Sequence, residues 1–511
     1  MRSWQPPKPD IFSSPGGVGS GPDGEVAMQL QNSALWRTQA LINGEWLAGS
    51  RQFAVLNPAD GSVLAQVADL GADDTRRAIE AAAAAMPAWQ QLPAVQRSNV
   101  LWRWYELLLD NQEDLARLMT AEQGKPLAES RGEIAYGASY VRWFAEEARR
   151  VYGDIIPLPQ ADRRGLVIHQ PVGVVAAITP WNFPNAMIAR KVAPALAAGC
   201  AVVLKPAVET PLSALAMAEL ALQAGVPAGI FNVITATDAP AVGAEMTSNP
   251  QVRKVTFTGS TPVGKLLLQQ CATTVKRTSM ELGGNAPVII FDDADLDLAI
   301  NGTLAAKFRN AGQTCICSNR LLVQAGIYPE FVRRLQEAVA AFRVGNGMDE
   351  GVTQGPLISP QAVAKVHAKV QAAQAGGAQL VCGGELSLLG DYFYPPTILT
   401  GVTPAMAVWQ EEIFGPVAPV LKFTTEAEAI ALANDTNAGL AAYLFSRDMG
   451  RCWRVSEALQ YGMVGVNETA ISSEQIPFGG VKESGSGREG SKYGLQDYLE
   501  TKYICMGGLQ R

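Results

Sequence analysis

The composition and charge of this 511-residue chain exclude several classes of protein. Its hydrophobic content of 48% and charged content of 17% are typical of a globular enzyme, and its length predicts two or three domains. The formal net charge of −7 disfavours nucleic-acid and anionic-membrane partners. There are only two histidines, His169 and His367, and neither lies in a recognisable motif. The sequence therefore predicts no His-rich metal site and no His-dependent triad.

The N-terminal segment, residues 1–27, is rich in Gly, Pro and Ser and predicts a disordered tail, with Met28 as a candidate translation start. It has neither the apolar run of a secretory signal nor the Arg-rich, acid-poor pattern of a transit peptide. No apolar run in the chain is long enough to span a bilayer. Seven scattered cysteines favour a reducing compartment, so we expect a cytoplasmic protein.

The first ordered part of the chain predicts a hairpin, long helices and a pair of strands. Asn43-Gly44 in "ALINGEWL" is typical of a tight turn between two short strands. Apolar periodicity predicts helices over 76–89 and 95–118, and 154–171 predicts two strands joined by a charged turn.

Strand-like and helical runs alternate in the following part of the chain, residues 172–258. This alternation predicts βαβ units and a parallel sheet. A second α/β set begins after Gly283 with "APVIIF", "RLLVQ" and "APVLKF".

The segment "GSTPVGKL" (259–266) resembles a loop that binds nucleoside triphosphates, but Leu266 replaces the hydroxyl residue that magnesium requires. It also departs from the dinucleotide fingerprint, because Thr261 stands where the second glycine belongs. What remains is a strand, Gly259-Ser260 and a helix. That pattern suits a helix N-terminus that binds a phosphate, and equally an ordinary strand–turn–helix.

Seven ordered motifs resemble the aldehyde dehydrogenase superfamily from about residue 36 to the C-terminus. The motifs are "TPWNFP" (179–184), "VLKPAVETP" (203–211), "FTGSTPVG" (257–264), "MELGGN" (280–285), "FRNAGQTCICSNR" (308–320), "EEIFGPV" (411–417) and "PFGG" (477–480).

The resemblance implies an α/β fold with a Rossmann-type cofactor domain, an α/β catalytic domain and a small β oligomerisation element. It places the cofactor domain at 28–152 and 172–281, the catalytic domain at 282–477 and the oligomerisation element at 153–171 and 478–511. A homodimer or homotetramer follows by the same analogy.

The resemblance also implies a mechanism that suits the residues present. Cys315 would attack an aldehyde to form a thiohemiacetal, since a thiolate is a far better nucleophile than water. The Asn182 amide and the Cys315 backbone N–H would stabilise the oxyanion. Glu281 would activate the water that hydrolyses the thioester, and the scarcity of histidine points to a carboxylate in that role.

For the cofactor, the resemblance implies two groups of contacts. The adenosine and phosphate side would contact Trp181, Lys205, Gly259 and Ser260, and the nicotinamide ribose would contact the Leu282 backbone, Glu412 and Phe414. Strictly NAD-using relatives carry Glu three positions after the lysine, where this chain has Val208. Loss of that carboxylate should admit the extra phosphate of NADP, so we expect NADP to be accepted or preferred, with NAD as the other cofactor. Glu209 is the alternative carboxylate.

Within the family, the chain resembles the succinate-semialdehyde dehydrogenases. Arg190 and Arg309 match the cationic anchors for a carboxylate opposite the aldehyde, with Ser472 or its neighbour Ser473 completing the contact. The alternative is that these arginines pair only with surface acids. Glutarate semialdehyde and 2-oxoglutarate semialdehyde remain alternative substrates, because the arginines do not discriminate chain length.

Cys317 lies two residues after the predicted nucleophile. The resemblance implies either a redox-sensitive disulfide with Cys315 or a small packed side chain, and a bridge across so short a loop would be strained and easily reduced. A non-catalytic binding protein of the same fold is disfavoured because Cys315, Glu281 and Asn182 are all present.

Overall fold

The computed structural model describes residues 28–509. The predicted tail, 1–27, lies outside the described residues. Within the described range, no helix combines the length and hydropathy needed to cross a membrane.

The strands of this range are short, and most belong to two large sheets. In chain order they are β1 (Ala40–Ile42), β2 (Glu45–Leu47), β3 (Gln52–Leu56), β4 (Val63–Ala68), β5 (Asp154–Ile156), β6 (Arg164–Pro171), β7 (Val174–Ile178), β8 (Val202–Lys205), β9 (Phe231–Val233), β10 (Val252–Thr258), β11 (Arg277–Glu281), β12 (Ala286–Ile290), β13 (Ser318–Gln324), β14 (Gln379–Cys382), β15 (Thr397–Thr400), β16 (Val417–Phe423), β17 (Ala441–Phe445), β18 (Met463–Val466), β19 (Gly485–Ser486) and β20 (Leu499–Met506).

The helices cover the faces of these sheets. They are α1 (Ala72–Gln91), α2 (Ala94–Asp110), α3 (Gln112–Gln123), α4 (Leu127–Glu147), α5 (Ala186–Ala198), α6 (Pro211–Ala224), α7 (Ala239–Ser248), α8 (Thr261–Ala272), α9 (Leu296–Phe308), α10 (Tyr328–Val339), α11 (Pro360–Ala375), α12 (Ala407–Gln410), α13 (Glu426–Asn434), α14 (Met449–Ala458) and α15 (Ser491–Gln496).

The first large sheet has the strand order β19-β11-β10-β7-β8-β9-β1-β2. Its five central strands, β7 to β11, are parallel, while β1 and β19 pair antiparallel at either side. The strand order reverses at β7: β8 and β9 lie on one side of it, and β10 and β11 lie on the other. A crevice therefore opens at the carboxyl ends of β7 and β10, the usual ligand position in such sheets.

The second large sheet has the order β14-β15-β16-β13-β12-β17-β18, and all of its pairs are parallel except β14 with β15. A small sheet, β20-β6-β5, and the two-stranded ribbon of β3 and β4 complete the strand pairing.

The buried apolar residues form separate cores for the two large sheets. One core runs from Leu35 to Leu282 and includes Leu495, Tyr498 and Leu499. Two further cores on the second sheet use residues between Ala286 and Phe478. The predicted α/β class with two α/β units is confirmed.

The predicted hairpin at Asn43-Gly44 is present, whereas the helix predicted over 95–118 is divided. Ile42 pairs with Glu45 around Asn43 and Gly44, whose φ angles are 54° and 78°, as the hairpin requires. The helix predicted over 95–118 is in fact two helices that meet at Asn111, where Asn32 donates to the Asn111 side chain.

The predicted oligomerisation element also needs one correction. Residues 485–486 form β19, which pairs with β11 in the first large sheet. Of the segment 478–511, it is β20 that joins β5 and β6 in the small sheet.

Candidate active site

Glu281 lies at the carboxyl end of β11, opposite Thr258 of β10. Its side chain is 3% exposed, and both carboxyl oxygens are buried without a hydrogen-bonding partner among the described residues. Burial raises the pKa of Glu281 well above its usual range, and the nearby Glu489 carboxylate raises it further. The Glu281 carboxyl therefore stays neutral to a higher pH than an ordinary carboxyl does.

Cys315 lies between a 3-10 turn, Arg309–Gly312, and the first residue of β13. Its backbone carbonyl faces Gly284, where a Cβ would approach within 2.2 Å, so the loops carrying Cys315 and Glu281 pack together only through glycine. The Cys315 side chain is half-buried. Burial raises the pKa of the Cys315 thiol to about 12, while the charge of Arg190 opposes that rise.

Asn182 lies in the loop that follows β7 at the same edge of the sheet. Its Nδ2 donates to the Gln313 carbonyl at 3.0 Å, which ties it to the loop that carries Cys315. A side-chain amide has two N–H groups, so one remains for a substrate oxygen. The Cys315 backbone N–H also has no acceptor among the described residues. The structure thus brings the predicted nucleophile and both predicted oxyanion donors to neighbouring loops.

The predicted nicotinamide-side residues meet around Gly283 and Gly284. Glu412 Oε1 accepts a hydrogen bond from the Gly284 N–H at 3.1 Å, and burial raises the pKa of Glu412 to about 7. Phe414 packs edge-on against Trp181, with ring centroids 5.6 Å apart. The Leu282 N–H is already used by the Ser484 carbonyl at 3.0 Å, which leaves the Leu282 carbonyl for a ligand.

The predicted phosphate-side residues follow β8 and β10. Ser260 is exposed and begins α8, and Gly259 precedes it, where a Cβ would meet the Phe257 ring at 2.4 Å. Lys205 ends β8 in a buried position, and its Nζ donates only to the neighbouring Pro206 carbonyl at 3.3 Å. A buried ammonium with one neutral acceptor is suited to an anionic ligand.

Val208 and Glu209, the positions that bear on cofactor choice, are both half-buried in the segment after Lys205. Burial raises the pKa of Glu209 and lowers that of Lys205, and each charge partly opposes the shift of the other.

The two predicted substrate arginines have different environments. Arg190 is 1% exposed, its Nε lies 2.6 Å from Glu489 Oε2, and its guanidinium stacks 3.8 Å from the centroid of the Phe478 ring. The contact is an ion pair rather than an aligned hydrogen bond, because neither atom meets hydrogen-bond geometry. Arg190 therefore pairs with a buried acid and not with the surface acid that the alternative expected, and its Nη2 has no hydrogen-bond partner in residues 28–509.

Arg309 is exposed, and its guanidinium lies 4.9 Å from the centroid of the Phe183 ring. Across residues 28–509 it forms no ion pair with a carboxylate. Ser472 Oγ is also buried without a partner in that range, while Ser473 uses its carbonyl to accept from Tyr140. Arg309 thus has no carboxylate partner in that range, and Ser472 Oγ and Arg190 Nη2 are buried polar atoms without a hydrogen-bond partner there.

The family model described as aldehyde dehydrogenase family matches residues 46–504. The chain belongs to the aldehyde dehydrogenase family. The resemblance, fold and enzyme class predicted from the sequence are confirmed.

Individual members of the aldehyde dehydrogenase family match over almost their whole length. A curated relative from Escherichia coli, the NADP(+) succinate-semialdehyde dehydrogenase GabD, is 59% identical over 94% of this chain and 100% of its own. A glutarate-semialdehyde dehydrogenase of Pseudomonas aeruginosa is 57% identical over 94% of this chain and 100% of its own. The crystal structure of a succinate-semialdehyde dehydrogenase from Burkholderia pseudomallei matches with a TM-score of 0.93 and 55% identity, over 94% of this chain and all of that one.

Two charged residues near Glu281 were missed by the sequence reasoning, Lys191 and Glu489. Lys191 Nζ lies 2.5 Å from Glu489 Oε1, and Arg190 occupies the other carboxylate oxygen. Burial acts to raise the pKa of Glu489, but the two cations hold it below its ordinary value. Nothing in the spacing could reveal this cluster, because Lys191 and Glu489 are 298 positions apart.

Cys317 is buried, and its Sγ lies 3.3 Å from the Lys307 ammonium and 3.4 Å from the Lys307 carbonyl. Cys315 and Cys317 are both free thiols in the structure. A disulfide between them would require Cys317 to leave Lys307, and that redox role stays a prediction.

The thiol environment of this aldehyde dehydrogenase predicts a steep pH dependence of Cys315 alkylation. Because the thiolate is the reactive form and the pKa of Cys315 is raised to about 12, the rate should increase about tenfold per pH unit between roughly pH 7 and 9. Iodoacetamide labelling of the cofactor-free protein, read at Cys315 by mass spectrometry, measures it. A plateau near neutral pH would show that the thiol is instead activated before any ligand binds.

Proposed function

We propose that this chain oxidises succinate semialdehyde to succinate with NADP or NAD as the hydride acceptor. The choice of a carboxylated substrate rests on the exposed Arg309 guanidinium. This residue lies six positions before Cys315 and has no carboxylate partner in residues 28–509. A planar guanidinium matches a carboxylate through two parallel hydrogen bonds. The identity with succinate-semialdehyde dehydrogenases from two bacteria supports this choice.

The residues of the chain then divide the reaction between them. Cys315 adds to the aldehyde carbon, and the developing oxyanion accepts hydrogen bonds from the Asn182 amide and the Cys315 N–H. When bound, the nicotinamide accepts the hydride that converts the thiohemiacetal into a thioester. Glu281, once ionised, takes a proton from the water that attacks the thioester, and succinate leaves Cys315 as the free acid.

The dinucleotide site would use the crevice at the carboxyl ends of β7, β8 and β10. Lys205 and the first turn of α8 would bind its phosphate side, since a helix N-terminus presents free N–H groups to anions. Glu412 would bind the nicotinamide ribose with Phe414 alongside, and Trp181, which packs edge-on against Phe414, would lie toward the adenosine and phosphate side. Because Val208 offers no carboxylate to repel an additional phosphate, we propose that NADP is used at least as well as NAD, as the name of the Escherichia coli relative supports.

The test is reduction of NADP and of NAD with succinate semialdehyde, glutarate semialdehyde and butanal, with Cys315→Ala as the control. We expect the highest kcat/KM for succinate semialdehyde and no product from the control. Equal use of butanal would overturn the carboxylate requirement. Reduction with none of these aldehydes would overturn the function.

Glutarate semialdehyde is the second candidate, favoured by the 57% identity with a glutarate-semialdehyde dehydrogenase. It differs from succinate semialdehyde by one methylene, and pockets discriminate a methylene by only about 10- to 200-fold. A higher kcat/KM for the longer aldehyde would replace the first candidate with this one.

We further propose that copies of the chain associate through the small sheet. From Glu500 to Met506 the side chains of β20 are exposed, and Tyr503, Ile504 and Met506 present apolar surface that a second copy would cover. Sedimentation of the protein as a dimer or tetramer, and of Tyr503→Glu as a smaller species, is the expected result. A monomeric wild-type protein would contradict it.

In the proposed domain division, the cofactor domain comprises 28–152 and 172–281, and β19 joins the first large sheet of this domain. The catalytic domain, with the catalytic cysteine, comprises 282–477. We also propose a cytoplasmic location, which the seven free cysteines support.

A further inference from the structure

Lys125, in the connection between α3 and α4, is a buried cation to which the reaction above gives no role. Its side chain is fully buried. The Nζ lies 2.5 Å from Glu133 Oε2, donates to the Asn182 backbone carbonyl at 2.7 Å and sits 4.0 Å from the centroid of the Phe183 ring. A buried ammonium is costly unless its partners satisfy it, so these contacts are specific.

The carboxylate that pairs with Lys125 also fixes the far end of the Asn182 loop. Glu133 Oε1 accepts from the Asn185 N–H at 2.9 Å and the Ala186 N–H at 3.2 Å, at the start of α5. At Gly137, one turn further along α4, a Cβ would lie 2.1 Å from the Asn185 side chain. The Lys125–Glu133 pair thus contacts both ends of the segment from Asn182 to Ala186.

The same corner also holds the loop that carries Cys315. Asn310 Nδ2 donates to the Asn182 carbonyl at 3.0 Å, so that carbonyl receives one bond from Lys125 and one from Asn310. Gln123 Nε2 donates to Asn310 Oδ1 at 2.9 Å, and the Asn310 N–H donates to Glu129 Oε2 at 2.8 Å. Asn310 has a φ of 50°, a backbone conformation that needs such support.

We propose that Lys125, held by Glu133, is a positioning residue that fixes the oxyanion-binding amide of Asn182 against the Cys315 loop. The proposal rests on the proposed dehydrogenase function and adds a residue to it. Asn182 reaches the Gln313 carbonyl through Nδ2 and is fixed through its own carbonyl by Lys125 and Asn310. Removing the Lys125 bond frees one of the two restraints on that carbonyl and moves the amide relative to the reacting carbon.

The test variant is Lys125→Met, which keeps most of the side-chain volume and removes the ammonium. We expect kcat with succinate semialdehyde to fall about 10- to 100-fold, because small displacements of catalytic donors cost that much. The KM for the dinucleotide should stay within about twofold, since Lys125 contacts no proposed cofactor residue.

Lys276→Met is the matched control. Lys276 is also a buried lysine whose Nζ donates to two backbone carbonyls, those of Asn249 at 2.6 Å and Val252 at 2.7 Å, but these lie away from the site. We expect it to lower the melting temperature and leave kcat unchanged. Equal losses of kcat in both variants would show that Lys125 supports the fold alone and would overturn the proposal.

A double-mutant cycle with Asn182→Ala gives the decisive measurement. If Lys125 acts through the Asn182 amide, Lys125→Met should reduce kcat in the wild type and have little further effect in Asn182→Ala. Independent, multiplicative losses would overturn the proposal. Glu133→Gln, which retains an oxygen for the α5 N–H groups, repeats the cycle if Lys125→Met does not fold. Absence of turnover in the wild type would instead reject the proposed function.

Discussion

Replacing Glu281 with Gln is expected to leave the first hydride transfer intact. The thioester that it forms should then be hydrolysed slowly, so that later turnovers stall. The amide can replace the carboxyl without a new clash, since neither Glu281 oxygen has a partner in residues 28–509. Addition of Cys315 and hydride transfer should still release about one equivalent of NADPH per site as a burst. Thioester hydrolysis should then slow by about 10²- to 10⁴-fold, the usual contribution of a general base. Stopped-flow absorbance with succinate semialdehyde measures both phases.

The pH profile provides the matching control for this variant. In the wild type the raised pKa of Glu281 means that the base form appears only as the pH rises, so the steady-state rate should increase from acid to neutral pH and beyond. The slow phase of Glu281→Gln should lose that dependence, and Cys315→Ala should show neither phase. A variant that loses the burst itself would place Glu281 before hydride transfer.

The identity of the reacting groups could be predicted because it depends on residue type and local motif. Cys315, Glu281 and Asn182 each lie in a segment of fewer than 15 residues. Asn182 and Glu281 reach the same edge because the parallel strands β7 and β11 end there, whereas Cys315 precedes β13 of the second sheet and packs against Gly284. The hairpin at Asn43-Gly44 was predictable for the same reason, since its turn requires positive φ at both residues.

The charge environment of those groups could not be predicted, because its partners are distant in sequence. Glu489, near the C-terminus, contacts Arg190 and Lys191. Lys125 contacts Asn182, which lies 57 positions later in the sequence. An arginine eight residues after Asn182 has the same local sequence whether it binds substrate or Glu489. Only the tertiary structure shows that Arg190 contacts Glu489 while its Nη2 has no hydrogen-bond partner in residues 28–509, and its substrate role stays a prediction.

The pairing of Arg190 and Lys191 with Glu489 affects the pKa of Glu281. Arg190 and Lys191 act to lower the pKa of Glu281, whereas burial and Glu489 act to raise it. Glu489 offsets one of these two positive charges, and burial is the largest cause of the shift, so Glu281 keeps a raised pKa beside two cations. A raised pKa lowers the ionised fraction of this base at any given pH, which limits deprotonation of other groups before the aldehyde has reacted.

Loss of the Arg309 guanidinium is expected to change which aldehydes the protein uses. Arg309→Ala removes two charge-assisted hydrogen bonds to the substrate carboxylate, each contributing about 1.5–2 kcal/mol, so kcat/KM for succinate semialdehyde should fall roughly 100- to 1,000-fold. Butanal has the same carbon chain without the carboxylate, and its kcat/KM should change by less than about twofold. Arg309 is exposed and forms no ion pair in residues 28–509, so thermal stability should be unchanged.

Arg309→Lys separates charge from geometry in the same assay. Lysine keeps the positive charge but cannot bind both carboxylate oxygens through one planar group, so an intermediate loss is expected. Parallel losses for succinate semialdehyde and butanal would mean that Arg309 supports the Cys315 loop, to which the Asn310 contacts belong, and does not bind the substrate. A selective loss for the carboxylated aldehyde assigns a substrate-carboxylate contact to Arg309.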